Sequence, residues 1–447
     1  MPNSPDLSAA GSPSNVVDLR PVRAYHPDPQ HGSPDRLVCP VYDTLSESEL
    51  ARYAAHPHNA ARFVTRPRDV PVGRFVAEAA ARLNEALRSR AFVEDARPAF
   101  YVYGIRYLPP DDLLETIEPG ERRARYLLLG LVGALDFDTI EPGQVAMHER
   151  TFADRVEERV ALTDATGMSF APILAGYHRP DHALNDRLER WLGLDRRGLA
   201  FDGDVPPLAE AVLEGTTHRL WRIDEPSRIE EISRELRSYR LLVLDGHHRF
   251  TAAALRHYAG RPSAPLTMLV DGQDRALRVL PWHRVLPAHG GVPFAEIVGA
   301  ARREFPRVSA VERPGGVERV VERLGEMHRD GRRGFLVLDA GSMVEVGGAP
   351  SSDVGADFDL LHGFLEGRLG VDPHELEFVR SPRAALDQIT ASRAGRPGST
   401  AFLVPGLTER GIEERAFGSG AMMAHKSTMF LPKVADGMIF ARADAPD

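Results

Sequence analysis

The stretch Leu241–Gly260 reads LLVLDGHHRFTAAALRHYAG. Its first four residues are an unbroken apolar run, the pattern of a buried strand, and Asp245 and Gly246 supply a polar, flexible exit. From Phe250 onward, an alanine-rich run predicts a helix that stops at Gly260. A strand that hands over to a helix in this way aims its last residues at the first helical turn. Free backbone amides and the positive end of the macrodipole favour an anion there, and Gly246 lets a ligand oxygen approach the backbone closely. Arg249 is suited to fork onto phosphate oxygens, and His247 and His248 to donate hydrogen bonds to the same group. Asp245 would repel phosphate, so holding magnesium or orienting an attacking hydroxyl fits it better. The same residues also fit a plain turn, with Asp245 capping the helix and the histidines in solvent. No P-loop or G-x-G-x-x-G pattern supplies a conventional nucleotide cradle.

The rest of the chain bounds this reading. At 447 residues it is long enough for two or three domains with substantial cores. A hydrophobic content of 43%, a charged content of 27% and a mean hydropathy of -0.27 are globular values. No apolar run reaches the roughly 18 to 20 residues a bilayer span needs, so no membrane partner is expected. The opening MPNSPDLSAAGSPSN has neither a basic nor an apolar signal region and reads as a disordered tail over residues 1–18, with cytoplasmic residence the expectation. A single cysteine, Cys39, excludes an intramolecular disulfide and a cysteine-based zinc cluster. A net charge of -9 argues against a nucleic-acid partner, as does the interleaving of acids with the arginines after Pro287.

Helical and strand patterns alternate along the chain. In LVCPVYDTLSESELARYAAHPHNAARFV, Ser46 and Glu49 have the spacing of a capping box. AFYVYGIRYL and FAPILAGY read as strands. RYLLLGLVGALDFDTI suggests a strand pair turned at Pro142 and Gly143, and MHERTFADRVEERVALTDATG an amphipathic helix closed by Gly167. PAHGGVP, near Pro287, resembles a linker, after which PFAEIVGAARREF and GVERVVERLGEMHRD predict helices and GFLVLD a strand.

Further chemistry-bearing residues lie elsewhere. His148 and Glu149 adjoin in MHERT, where the histidine suits a metal ligand or a cap. His283 and Arg284 in LPWHRVLP suit either a second phosphate contact or a packed, salt-bridged strand. In AHKSTMFLPK, Lys426, Ser427 and Thr428 crowd donors into one turn, and Lys426 or Lys433 can meet a phosphate or carboxylate as a point charge. The hydroxyls fit loop satisfaction equally well. Tyr42, Asp43 and Asn59 suit substrate contact or turn formation alike.

The strand, G-x-H-R turn and alanine-rich helix resemble the nucleotide-binding element of the ParB/sulfiredoxin superfamily, and the D-G-H-H-R form resembles its free-serine kinase branch. Over almost the whole chain, the order PVYD, HPHN, MHERT, VLDGHHR, PWHR and HKSTMFLPK resembles a prokaryotic family of unknown function, the DUF1015-like proteins. The resemblance implies a mixed α/β fold, with a ParB/sulfiredoxin-like nucleotide-binding core over 120–287 between a mixed N-terminal region over 19–119 and a C-terminal α/β region over 288–447. It implies binding of ATP or ADP, with magnesium, and phosphoryl transfer to the hydroxyl of a small, serine-like metabolite. Those kinases are expected to carry an acid at the start of the helix preceding the motif strand, which makes Glu149 the candidate general base. Asp245 then positions metal or substrate, and Gly246, His247, His248 and Arg249 match the phosphate-binding turn. His283, Arg284, Lys426, Ser427 and Thr428 complete the candidate nucleotide contacts. Two other readings keep the same residues: a nucleotide or phosphomonoester hydrolase with water as acceptor, and a non-catalytic nucleotide-gated binding protein of the ParB type.

Overall fold

The computed structural model describes residues 17–444 apart from 43, 118–121, 123, 180, 196–200, 202, 238, 289–290, 312–315, 350, 352, 354 and 392–397. Most of the tail, residues 1–16, and Asp43 therefore lie outside the described residues. The fold is mixed α/β.

The motif strand is Leu241–Asp245. Its side chains alternate between two cores: Leu242 and Leu244 join one apolar cluster, Leu241 and Val243 another. An unbroken apolar run is what a strand covered on both faces requires. It pairs parallel with Val145–Met147 and antiparallel with Ile173–Tyr177. Among the described residues these strands belong to a nine-stranded mixed sheet that also holds Phe100–Tyr107, Tyr126–Leu135, Leu266–Asp271 and the hairpin Ala209–Leu213 and Thr216–Ile223.

The strand pair expected in RYLLLGLVGALDFDTI is a correction. Tyr126–Leu135 is one long strand, paired with Phe100–Tyr107 and Leu266–Asp271. The chain beyond the Gly143 turn does not fold back onto it; Val145–Met147 lies at the far edge, with three strands intervening. Gly130 explains how the long strand stays flat against its neighbour, because a Cβ there would lie 2.9 Å from the Leu269 carbonyl oxygen.

The helix expected from MHERT onward is shorter than read. It runs Ala153–Thr166 and ends at Gly167, whose φ of 68° is left-handed as expected for a helix stop. His148–Arg150 is extended, because its backbone bonds go elsewhere: Met423 N donates to His148 O at 2.8 Å and Arg150 N to Met423 O at 3.0 Å. The Ser46 capping box forms with both of its bonds and opens the helix Glu47–Ala54.

Among the described residues a second, six-stranded antiparallel sheet contains Gly334–Leu338, Met343–Gly347, Thr400–Leu403 and His283–Leu286. The two helices expected here occur as Phe294–Glu304 and Val317–Arg329, and a third runs Ala356–Leu369. The chain then returns: Thr428–Leu431 pairs with Arg278–Pro281, and Phe440–Arg442 joins a small sheet with Ala24–Pro27 and Met168–Phe170.

Gly334 enters this second sheet at φ 149°, where any Cβ would collide with the Val346 carbonyl oxygen. Gly334→Ala is expected to cost about 2–4 kcal/mol, since backbone cannot yield as a side chain does. Denaturant unfolding checks this, with Gly363→Ala as the comparison: it lies mid-helix, a Cβ there meets nothing within 4 Å, and alanine should stabilise by about 1 kcal/mol.

Candidate active site

The motif strand ends at Gly246, whose φ of 88° turns the chain directly into the helix His247–Tyr258. The helix thus starts three residues earlier than its alanine run suggests, which puts both histidines and Arg249 on its first turn. Arg249 then folds back beneath the turn. Its Nη1 donates to Ala171 O at 2.7 Å and Pro172 O at 2.8 Å, and its Nη2 to Asp245 Oδ2 at 3.2 Å. A Cβ on Gly246 would sit 2.9 Å from that guanidinium, so glycine is required here for space as well as for φ. Expected as a phosphate fork, Arg249 is instead a tie between the motif helix and the strand beside it.

Asp245 is held on both sides. Lys433 Nζ reaches its Oδ1 while Arg249 occupies Oδ2. Burial alone would push this carboxyl up, but the two cations outweigh it and hold it at about 2. The arrangement does not fit the expected magnesium ligand, and no group of three or more His, Cys, Asp or Glu among the described residues is placed to hold a metal ion.

Glu149 is 7% exposed. Its Oε2 accepts from Ser427 N at 3.0 Å and Thr428 N at 3.2 Å, and the Thr428 hydroxyl lies 3.1 Å away. His148 is fully buried, with Nδ1 2.9 Å from Val243 O and Nε2 2.7 Å from Thr428 Oγ1. A carbonyl only accepts, so the His148 proton sits on Nδ1 and Nε2 accepts from Thr428. The Thr428 hydroxyl then has one proton for two acceptors, and a proton held on Glu149 resolves the count. Burial pushes the Glu149 carboxyl up in agreement with this, against the pull of His148 and the backbone amides. His247 completes the group, its Nε2 3.3 Å from His148 Nδ1 and its Nδ1 3.6 Å from Glu149 Oε1. Burial drives both histidines down to about 3, so they are neutral near pH 7. His248 turns outward and accepts from Phe152 N at 3.1 Å.

His283 and Arg284 pack rather than project. Arg284 is 0% exposed and donates from Nε to His362 Nε2 at 3.1 Å and from Nη2 to His425 O at 3.1 Å, between the rings of Phe358 and Phe378. His283 Nδ1 accepts from Val404 N at 3.4 Å. Arg284 therefore braces the residue just before Lys426. Ser427 Oγ donates to Ala424 O, closing the turn as a loop would. Lys426, at φ 50°, is the member of this turn that faces outward, with Nζ 5.1 Å from the Trp282 ring. Asn59 ties its turn to a distant segment, its Nδ2 donating to Arg36 O and Val38 O and its Oδ1 accepting from Ala61 N.

Two cavities open beside this network. One, about 720 Å³, is lined by Lys426, His248, Arg66, Arg68, Arg155 and His374, and equally by the acids Glu47, Glu158, Glu375 and Glu377, with Arg66 paired to Glu158 and Arg68 to Glu47. The other, about 690 Å³, is lined by Lys433, His218, Tyr107 and Met429. They share the walls Leu45, Trp282 and Phe378. The basic side chains of the first come from five separate segments, and only His248 and Lys426 are legible from the motifs. Arg66, Arg68, Arg155, His374 and His218 carry no local signal, because nothing near them in sequence marks the cavity they meet in.

The family described as "Protein of unknown function (DUF1015)" matches residues 19–349. The chain belongs to this family. No curated protein matches the sequence. Among solved structures, a free serine kinase mutant in complex with ADP is 13% identical, with 64% of this chain and 84% of that one covered at a TM-score of 0.36. A conserved hypothetical protein from Pyrococcus furiosus is 13% identical, covering 66% and 90% at 0.35. SbnI with a C-terminal truncation, from Staphylococcus aureus, is 12% identical, covering 70% and 87% at 0.36. No helix among the described residues of this DUF1015 member is long and apolar enough to cross a membrane.

Arg249→Ala strands two carbonyls and half of Asp245, and should destabilise the fold by about 3–5 kcal/mol, with Arg249→Lys giving little rescue because one ammonium does not replace the fork. Chemical denaturation reads both. Acid should act through the histidines. His148, His247 and His283 sit near 3 in the fold against an ordinary 6.5, so unfolding takes up protons below about pH 6.5. Their contribution is whole above that pH and is lost as pH falls towards 3, at about 1.4 kcal/mol per pH unit per histidine. His283→Gln should flatten the stability–pH slope by one histidine's share.

Proposed function

We propose that this cleft carries out nucleotide-dependent phosphoryl transfer to the hydroxyl of a small metabolite, with a serine-like acceptor favoured. The observation that carries the reading is the gathering of lysine, arginine and histidine side chains from five chain segments around one 720 Å³ cavity, next to the strand-to-helix turn. Such a cavity has the size of a small-molecule site, and its cations suit a polyphosphate. The ParB/sulfiredoxin-like core belongs to the same reading. So does its nucleotide, ATP or ADP.

In this scheme Lys426, Arg155 and Arg68 receive phosphate oxygens, with the first turn of the helix Ala153–Thr166 contributing backbone amides. His247, Arg249, His283 and Arg284 act behind them, as packed residues that fix the turn and the strand. Asp245 keeps Lys433 extended into the adjoining cavity, where the acceptor sits. It supplies no magnesium ligand. The acceptor oxygen forms its bond to phosphorus as the bond to the departing nucleotide oxygen breaks. The hydroxyl proton passes to Glu149 through the Thr428 hydroxyl that touches it. Glu149 must begin ionised for this, so its burial sets the pH dependence: activity should rise with pH through a point above the ordinary carboxylate range.

Phosphorus NMR tests the reading on protein with magnesium, each of ATP, ADP and CTP, and a pool of hydroxyl-bearing amino acids. A new phosphomonoester resonance that needs an acceptor is expected, reduced 10²-fold or more by Glu149→Gln, within the range general bases supply. Free phosphate alone would replace the kinase with a hydrolase using the same cleft. An unchanged spectrum with nucleotide bound would leave a binding role.

A further inference from the structure

The motif helix His247–Tyr258 packs beside the helix Ala153–Thr166, and a small cavity of about 50 Å³ lies between them. Arg159 and Thr163, one turn apart, face it from one helix, and Arg249 and Arg256, two turns apart, from the other. Ala252 and Ala253 lie on the same wall as the two arginines of the motif helix, and their short side chains leave the space open. Ser169 and Ser263 line it from the neighbouring segments. The remaining lining is apolar, and among the described residues no carboxylate lines it.

Hydrogen bonding leaves donors over at this wall. Arg256 is 7% exposed, and its Nε is buried with no acceptor among the described residues. Arg249 Nε is in the same state. Ser169 Oγ accepts from Leu266 N at 3.0 Å, which leaves its own proton to give. Carboxylates meet these arginines only outside the cavity. Glu158 is shared by Arg159 and Arg66, and Asp164 by Arg256 and Arg261, while Asp245 holds Arg249. Burial and the neighbouring Arg261 hold the Arg256 guanidinium below its ordinary value, against the charge of Asp444. A buried donor without an acceptor is costly, so this wall favours a guest that supplies one.

A space of about 50 Å³ admits a monatomic ion or a water and excludes a nucleotide or a phosphorylated metabolite. Three guanidiniums and no carboxylate select a guest that carries negative charge and only accepts hydrogen bonds. We propose that this cavity is a halide site, filled by chloride, that ties the motif helix to the helix Ala153–Thr166. The ion accepts from Arg256 Nε and the Ser169 hydroxyl, with Arg159 and Arg249 adding charge. Arg249 also anchors the strand-to-helix turn, so occupancy stiffens the base of that turn. The site is independent of the phosphoryl-transfer reading and stands or falls without it.

Thermal unfolding of the full chain tests the site as chloride replaces gluconate, an anion too large for the space, at constant ionic strength. The midpoint should rise and saturate, by about 3 °C at about a hundred times the dissociation constant, because a ligand that binds only the folded chain stabilises it. Bromide should act like chloride. Equal midpoints in chloride and gluconate overturn the proposal. Arg256→Met should lose the rise. Arg261→Met, which removes the other arginine on Asp164 without touching the cavity, should keep it. A rise that survives Arg256→Met overturns the site, and so does a rise lost in both variants, since a general effect on arginine–carboxylate pairs then accounts for it. If Arg256→Met does not fold, the unmutated protein decides. In its crystals grown with bromide, anomalous scattering should place an ion between Arg256 and Ser169. No peak there overturns the halide, and a peak without any chloride dependence of unfolding is an adventitious ion only, which overturns it equally.

Discussion

The Glu149 carboxyl reaches across 278 residues of chain to the amides of Ser427 and Thr428, and much of the site hangs on that contact. A buried carboxyl is costly unless its oxygens are satisfied, and two backbone amides and a hydroxyl satisfy this one. The benefit is positional. The same turn exposes Lys426 to the larger cavity and starts the strand that carries Thr428 to His148. The Glu149–Met423 bridge and the Arg284 bond to His425 O grip the returning chain just before this point. Four contacts thus fix one short loop, and with it the floor of the cleft.

Behind that loop, buried polar groups are arranged so that few carry charge. His148, His247 and His283 are neutral through burial, and Glu149 is driven towards its protonated form. Asp245, kept ionised by Arg249 and Lys433, and the buried guanidinium of Arg284 are the exceptions. Such partly buried ion clusters add little net stability but specify geometry, because breaking one partner leaves a charge unmatched. The cleft is therefore rigid on its inner side. Its charge-bearing side chains lie towards solvent, where a ligand can meet them.

Much of the motif was legible. LLVL forecast a buried strand, Gly246 the turn and Gly260 the stop, because each depends on neighbours in sequence: an apolar run, a positive φ, a missing Cβ. The same local view misjudged Arg249. Nothing within a few residues reveals that the Ala171 and Pro172 carbonyls wait below the turn, so a free fork was the natural inference. MHERT failed similarly. Its helical pattern is sound from Ala153 on, but His148–Arg150 spends its hydrogen bonds on Met423, and tertiary pairing overrides local preference.

Composition and pattern alone determined that this chain builds a mixed α/β fold and where its strand-to-helix turn lies. Short-range sterics and burial periodicity are written residue by residue, so they survive without coordinates. Which residues face the cleft was decided by folding. Arg66, Arg68, Arg155, His374 and His218 come to line its two cavities, and Arg249 and Arg284 are withdrawn from solvent, through contacts between segments far apart in the chain. Those contacts depend on sheet order and on where the returning C-terminal strand docks, and no local signal encodes either.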